Sequence, residues 1–191
     1  MDTHLWWYVA RAGGLLTWAL AAASVLWGLA LSTRALGRKP GAPWLLDLHR
    51  YLGGLTVVFA AIHLLGLWAD SFVTFGWREL LVPFASTWRP GAVAWGIVAF
   101  YLLLAVELTS LLKKHVPKRW WKGVHVSSYA LFVFGTVHLF TAGTDHTNPL
   151  VWWSVIATLA AVVFFTVYRI IGPGRAASVR PIPTQRHQVN A

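Results

Sequence analysis

Imidazole is a good ligand for iron, and four histidines of this chain stand where an ionisable side chain is expensive. His49 and His63 lie 14 residues apart in the apolar segment 45–68, and His125 and His138 lie 13 apart in the segment 124–141. Such a residue inside a bilayer-length apolar segment points to function. At about 1.5 Å of rise per residue, the two spacings span about 21 Å and about 19.5 Å of helix. Two helices running in the same direction would set His49 opposite His125 and His63 opposite His138, one pair above the other. That layout suits two stacked b-type haems, each held by two histidines across a membrane. One histidine alone is as readily explained by hydrogen bonding between helices; four at matched depths are not.

The elements that must position them are membrane helices. The chain is 57% hydrophobic and 12% charged, where a soluble domain carries about 25% charged residues. Five segments are long enough to cross about 30 Å of hydrocarbon: roughly 8–31, 45–68, 91–112, 121–142 and 150–171. Pro40-Gly41-Ala42-Pro43, Arg89-Pro90-Gly91, His115-Val116-Pro117 and Thr147-Asn148-Pro149 punctuate them. The expected fold is therefore all-α, an integral membrane bundle of five transmembrane helices forming one domain over residues 1–171. Residues 172–191 are polar and contain proline, and are expected to form a disordered cytoplasmic tail. The stretch from Asp70 to Arg89 mixes aromatic, aliphatic and charged residues and reads as an interfacial amphipathic excursion. The first apolar run has no basic n-region and no clear small-residue cleavage site, so it reads as a retained helix. With no cysteine, disulfides, C-x-x-C-H haem attachment and cysteine-ligated iron–sulfur clusters are excluded.

The net charge of +10 would suit nucleic acid or anionic lipid, and its placement decides against nucleic acid. The basic residues flank apolar segments, so the expected surroundings are a lipid bilayer. Arg34, Arg38, Lys39 and Arg50 surround the first connection. Lys113, Lys114, Lys118, Arg119 and Lys122 surround the third, and Arg169, Arg175, Arg180 and Arg186 follow the last span. Only Arg11, Arg78 and Arg89 fall on the opposite side of a five-span alternation, which leaves 13 of the 16 basic residues on one side. The positive-inside rule then puts the N-terminus outside and the C-terminus in the cytoplasm of a plasma-membrane protein. Trp6, Trp7, Trp44, Trp68, Trp88, Trp120, Trp121, Trp152 and Trp153 lie near span ends, as an aromatic belt requires.

Haem propionates need cations. Arg50 and Lys122 are candidates at the inner face, and Arg11, Arg78 or Arg89 at the outer. Arg11, inside an apolar helix on the sparsely basic side, suits either a propionate or a loop carboxylate. Glu107 would reach Lys113, Lys114 or Lys118 by snorkelling, or carry protons. His146 lies beside Asp145 in a loop, where it could meet a metal acceptor, while His4, His115 and His187 read as surface residues. Gly53, Gly66 and Gly135 lie within a turn of a histidine and would let a flat macrocycle, or simply another helix, approach. A spacing of 13 ends about 140° short of four whole turns of an ideal helix. Segment four therefore contains a π-bulge, or its two histidines address their partners from different angles; the spacing leaves both open.

These spacings, with Leu48-His49-Arg50 opening one helix and Gly123-Val124-His125 opening the other, resemble the ferric reductase-like transmembrane domain. Ferric reductases, NADPH oxidases and the haem-binding membrane subunit of the periplasmic methionine sulfoxide reductase system share that domain. Pro83-Phe84-Ala85-Ser86-Thr87-Trp88-Arg89-Pro90 and Ala142-Gly143-Thr144-Asp145 are similar to stretches in bacterial members. The resemblance covers about residues 5–171. It implies a membrane cytochrome b with two haem b groups, whose irons are held by His49 with His125 and His63 with His138. Electrons would pass from a cytoplasmic-side donor to an outer-face acceptor: a ferric chelate, a periplasmic reductase or oxygen. The chain departs from the larger oxidases in having five spans rather than six and no flavin or nicotinamide domain after the last helix. The resemblance thus implies an oxidoreductase component served by a separate cytoplasmic flavin reductase or by quinol. The alternative is a non-catalytic haem-binding membrane protein, a redox sensor or haem carrier.

The charge asymmetry generates a topological expectation. Each Arg or Lys misplaced at the centre of a membrane helix costs about 2.5–3.5 kcal/mol on insertion scales. Because the chain has no cysteine, single cysteines introduced between Asp70 and Arg89 should label from outside intact cells. A reporter fused after Ala191 should be active only in its cytoplasmic form. Labelling of the loop only after lysis would invert the topology.

Overall fold

A computed structural model describes residues 4–33, 42–71 and 73–171. The 172–191 tail and the bases Arg34, Arg38 and Lys39 lie outside the described residues. The elements are α1 (Leu5–Thr33), α2 (Ala42–Ala69), α3 (Trp77–Leu81), α4 (Pro90–Leu111), α5 (Lys118–Val126), α6 (Ser128–Ala142) and α7 (Pro149–Ile171). No strand occurs among the described residues. Five helical stretches are long and apolar enough to cross a membrane, with α5 and α6 together forming the fourth. The chain is an all-α, multi-pass membrane bundle.

Local chemistry sets the helix ends. Asn148 caps α7 by accepting the Leu150 N–H on Oδ1 at 2.9 Å, and Pro149 follows at the first helical position, where no N–H is needed. Pro90 likewise opens α4 behind Arg89, whose φ is 41°. Within the helices, hydroxyls turn back on their own turns: Thr17 to Gly13 O, Thr56 to Leu52 O, Thr136 to Phe132 O and Thr166 to Val162 O, all at 2.6–2.8 Å. Hydrocarbon offers no other acceptor, so these side chains are satisfied within their own helix.

The bundle is two helical pairs and one flank. α1 packs along α2, α4 packs along α6, and α1 also meets α6 and α7. α2 and α6, which carry the four histidines with α5, do not pack closely on each other. The space between them is the centre of the molecule. α7 buries only Val155 and Val162 and presents Val163, Phe164, Val167 and Ile170 to the surroundings.

The Asp70–Arg89 stretch turns one apolar side inward and leaves Trp77, Val82, Phe84 and Trp88 exposed. Phe75 and Leu80 are buried against Val93 and Ile97 of α4, with Leu64 and Leu67 of α2 packed alongside. The stretch therefore closes one end of the bundle, the α3 end. Arg50, Lys113, Lys114, Lys118, Arg119, Lys122 and Arg169 lie toward the other, basic end.

The contact between α1 and α2 is close because of glycine. A Cβ added to Gly66 would lie 2.7 Å from Ala10 N and 2.9 Å from Ala10 Cα, both backbone atoms. The helix-packing reading of Gly66 is thus the structural one. Gly66→Val should cost about 1–3 kcal/mol, as overpacking does, read as a lower unfolding temperature in detergent. Gly54→Val, where nothing lies within 4 Å of the added carbon, should leave that temperature unchanged.

Candidate functional site

The four histidines meet in two pairs. The His49 and His125 rings have centroids 5.9 Å apart, and the His63 and His138 rings 6.3 Å apart, with planes crossed at 80° and 77°. The structure therefore brings together the two pairs expected from depth along the helices.

The surroundings of three of the four rings are built from glycines that pattern-reading on the histidine helices missed. His63 Nδ1 donates to Ala10 O of α1 at 2.6 Å, and His138 Nδ1 donates to Ala92 O of α4 at 2.8 Å. A carbonyl only accepts, so the ring proton sits on Nδ1 and Nε2 keeps its lone pair. His49 Nδ1 lies 3.3 Å from Ser24 Oγ. Four residues after each partner stands a glycine: Gly14, Gly96 and Gly28. A helical side chain covers the turn before its own Cα, so a glycine there bares the preceding carbonyl. A Cβ on Gly14 would lie 2.9 Å from His63 Nδ1, one on Gly96 2.7 Å from His138 Nδ1, and one on Gly28 3.2 Å from His49 Cε1. The legible signal was Gly14 to Gly28, the same 14 residues that separate His49 from His63. His125 is the exception: its Nδ1 is buried without a partner, and the ring stacks on Trp121 at 5.0 Å, with Lys113 Nζ 3.9 Å over that indole.

The chain tightens just after His125. Ser127 N–H bonds Val124 O at 3.0 Å, a three-residue closure between α5 and α6. The irregularity found between the two histidines is therefore a tightened turn, not a π-bulge.

A cavity of about 330 Å³ lies beside the His63–His138 pair. Gly14, Thr17, Thr56, Gly96, Gly135 and Asp70 are among its lining. A Cβ on Gly135 would meet nothing within 4 Å, so this glycine does front open space. Trp18 and Phe132 line it too, stacked at 6.3 Å, with Trp18 Nε1 donating to Thr136 Oγ1 at 3.0 Å.

The remaining candidates scatter. Arg11 takes the loop carboxylate: Nε donates to Asp145 Oδ2 at 2.6 Å, and a second nitrogen closes the bidentate pair. Its guanidinium also lies 4.9 Å from the Trp7 ring centroid. Arg50 is exposed and 3.6 Å from Asp47. Lys122 and Arg78 are exposed. Arg89 donates to Thr141 O at 2.9 Å. His146, exposed, donates from Nδ1 to Gly143 O at 2.9 Å. Glu107 does not reach the lysines; among the described residues it forms no ion pair. It points at α2 instead, where a Cβ on Gly53 would collide with its carboxyl. Gly53 thus makes room for Glu107 rather than for a macrocycle.

A family model described as "Ferric reductase like transmembrane component" matches residues 13–136. The chain belongs to the ferric reductase-like transmembrane family. The match takes in His49, His63 and His125 and ends two residues before His138. Membership points to a membrane component of redox or electron-transfer chemistry. No curated protein matches the chain.

The Arg11–Asp145 pair is uneven, with side chains 38% and 7% exposed, and this predicts an uneven response. Asp145→Asn leaves an arginine that still reaches water and should cost about 1–2 kcal/mol. Arg11→Gln leaves the buried carboxylate unpaired and should cost about 3 kcal/mol or more. Thermal unfolding of both variants in one detergent measures the order; equal losses would mean Asp145 is hydrated.

Proposed function

We propose that this chain is a membrane cytochrome b. It holds one haem b between His49 and His125 and a second between His63 and His138. Electrons pass from a donor on the cytoplasmic side to an acceptor on the outer face. The carrying observation is the pair geometry. Two metal–imidazole bonds of about 2.0–2.1 Å each, plus two half-rings, put ring centroids about 6 Å apart, close to the 5.9 and 6.3 Å found. Nδ1–H bonds to Ala10 and Ala92 carbonyls supply the outer-shell contact that metal-ligating histidines make almost without exception. The gap kept between α2 and α6 and the cavity beside His63 and His138 fit a flat, apolar macrocycle.

When bound, each haem would supply a one-electron iron couple. The chain's own residues do the rest. His49 with His125, and His63 with His138, would each hold one haem iron and leave it no open position for oxygen or substrate. Carbonyl bonds hold the His63 and His138 rings and keep their Nε2 basic. Trp18 and Phe132 occupy the space toward the second pair, and Phe75 and Leu80 of the α3-end loop line the cavity with them. The donor is a separate flavin reductase or quinol, reaching the His49–His125 level from the basic end. The acceptor is a ferric chelate, a periplasmic reductase or oxygen. The plasma membrane, with the basic end cytoplasmic, is the location this requires.

Purified protein should carry two six-coordinate, low-spin b haems per chain in a pyridine haemochrome assay. His49→Ala and His125→Ala should lose one and the same haem, and His63→Ala and His138→Ala the other. One haem or none in the unaltered chain would contradict the reading, and a His49→Ala spectrum matching that of His138→Ala would contradict the pairing.

A further inference from the structure

An open groove of about 720 Å³ runs between α4 and α5 at the basic end of the bundle. On α5, Arg119 and Gly123 stand four residues apart, as do Trp120 and Val124, and Ser127 follows three after Val124. Those spacings put them on one helix face. Leu102 and Ala105, three apart on α4, form the opposite wall. Eight residues at about 1.5 Å each give the groove about 12 Å from Arg119 to Ser127. A Cβ on Gly123 would meet nothing within 4 Å, so this glycine opens the middle of the groove.

Polarity is graded along it. Arg119 and the Trp120 indole stand at the mouth, and Leu102, Ala105, Gly123 and Val124 line the rest. Ser127 Oγ, at the deep end, donates to Val124 O at 2.6 Å, so its proton is committed. The charge at the mouth is unbalanced. Of the chain's six acidic residues, only Asp47 and Glu107 lie toward the basic end. Asp47 is beside Arg50, and Glu107 faces Gly53 of α2. Arg119 is exposed and forms no ion pair among the described residues, and exposed Lys114, Lys118 and Lys122 surround it in sequence. Cations and tryptophans at a span end need no ligand to explain them. A groove that leads from a cation to an apolar floor, open to hydrocarbon along its side, calls for an amphiphile with an anionic head.

We propose that this groove holds one anionic phospholipid, its phosphate at Arg119 and one acyl chain laid along Gly123 and Val124 toward Ser127. Basic pockets between membrane helices suit anionic head groups in this way. A neutral quinone ring fits less well: the deep end offers it no uncommitted donor, and the cation at the mouth favours an anion. The site is independent of whether the histidines carry haem.

The test is native mass spectrometry of the full chain in detergent with added phosphatidylglycerol or phosphatidylcholine. The unaltered chain should retain one phosphatidylglycerol in preference to phosphatidylcholine. Arg119→Gln should weaken that retention about fivefold, as expected for one basic side chain at an anionic surface. Lys114→Gln, which removes the same charge outside the groove, should change it less. Gly123→Leu, which fills the groove without a clash, should weaken retention of both lipids. Equal retention of the two lipids by the unaltered chain overturns the proposal without recourse to any variant. So does an equal loss in Lys114→Gln and Arg119→Gln, which would mean a diffuse surface field, or full retention in Gly123→Leu. Ubiquinone that displaces phosphatidylglycerol and is held equally well by Arg119→Gln would make a neutral quinone the occupant instead.

Discussion

The structure depends on one constraint: an imidazole in hydrocarbon needs a use for both of its nitrogens. Water is absent, and an unsatisfied polar group there costs several kcal/mol. α1 and α4 exist, in this sense, to serve α2 and α6. Ala10 and Ala92 lend carbonyls already engaged in their own helices, using the second lone pair. Gly14 and Gly96 remove the carbons that would cover them. The hydrogen bond fixes the tautomer, so each ring turns a bare Nε2 away from its own hairpin. Two hairpins, each a server helix packed on a histidine helix, then face one another across the gap that α2 and α6 do not close.

The two hairpins are variations on one plan. Server positions are 14 residues apart on α1, at Gly14 and Gly28, and the matching positions on α4 are Gly96 and Ser110. On the histidine side the spacing is 14 in α2 but 13 across α5 and α6. The tightened turn at Ser127 reconciles them. Three residues rising about 2.0 Å instead of about 1.5 Å add about 1.5 Å, the rise of the missing residue. The extra winding, about 20° for each of the three, also brings His125 part of the way round toward the face of His138.

Much of this was legible in the sequence. Hydrophobic runs bounded by proline and glycine yielded all five spans to within a turn or so, because membrane helices must be long, apolar and continuous. The pairing of His49 with His125 and His63 with His138 followed from depth alone. What escaped was lateral. Gly28 serving His49 and Glu107 facing Gly53 are contacts between helices, and spacing along one helix does not encode which neighbour it meets. The Asp70–Arg89 stretch was legible only in part for a related reason. Its aromatic and aliphatic residues suit an interface as well as a bundle end, and only the cluster with Val93 and Ile97 shows where Phe75 and Leu80 go.

The two histidine levels are not equally held, and the departure from the shared plan says why. At the α3 end both rings are tied to backbone carbonyls, which cannot rotate away. At the basic end His49 meets a hydroxyl at 3.3 Å, and His125 Nδ1 meets nothing. On the plan of the other three sites, the glycine serving His125 would stand at position 110. Ser110 stands there instead, and its Oγ is likewise buried without a partner. In the proposed haem sites, a hydroxyl would orient its imidazole less firmly than a backbone carbonyl does, since outer-shell contacts set both ligand orientation and basicity. The chain thus has a pair tied to backbone carbonyls beneath the α3-end loop and a more sparsely bonded pair at the end where its positive charge gathers.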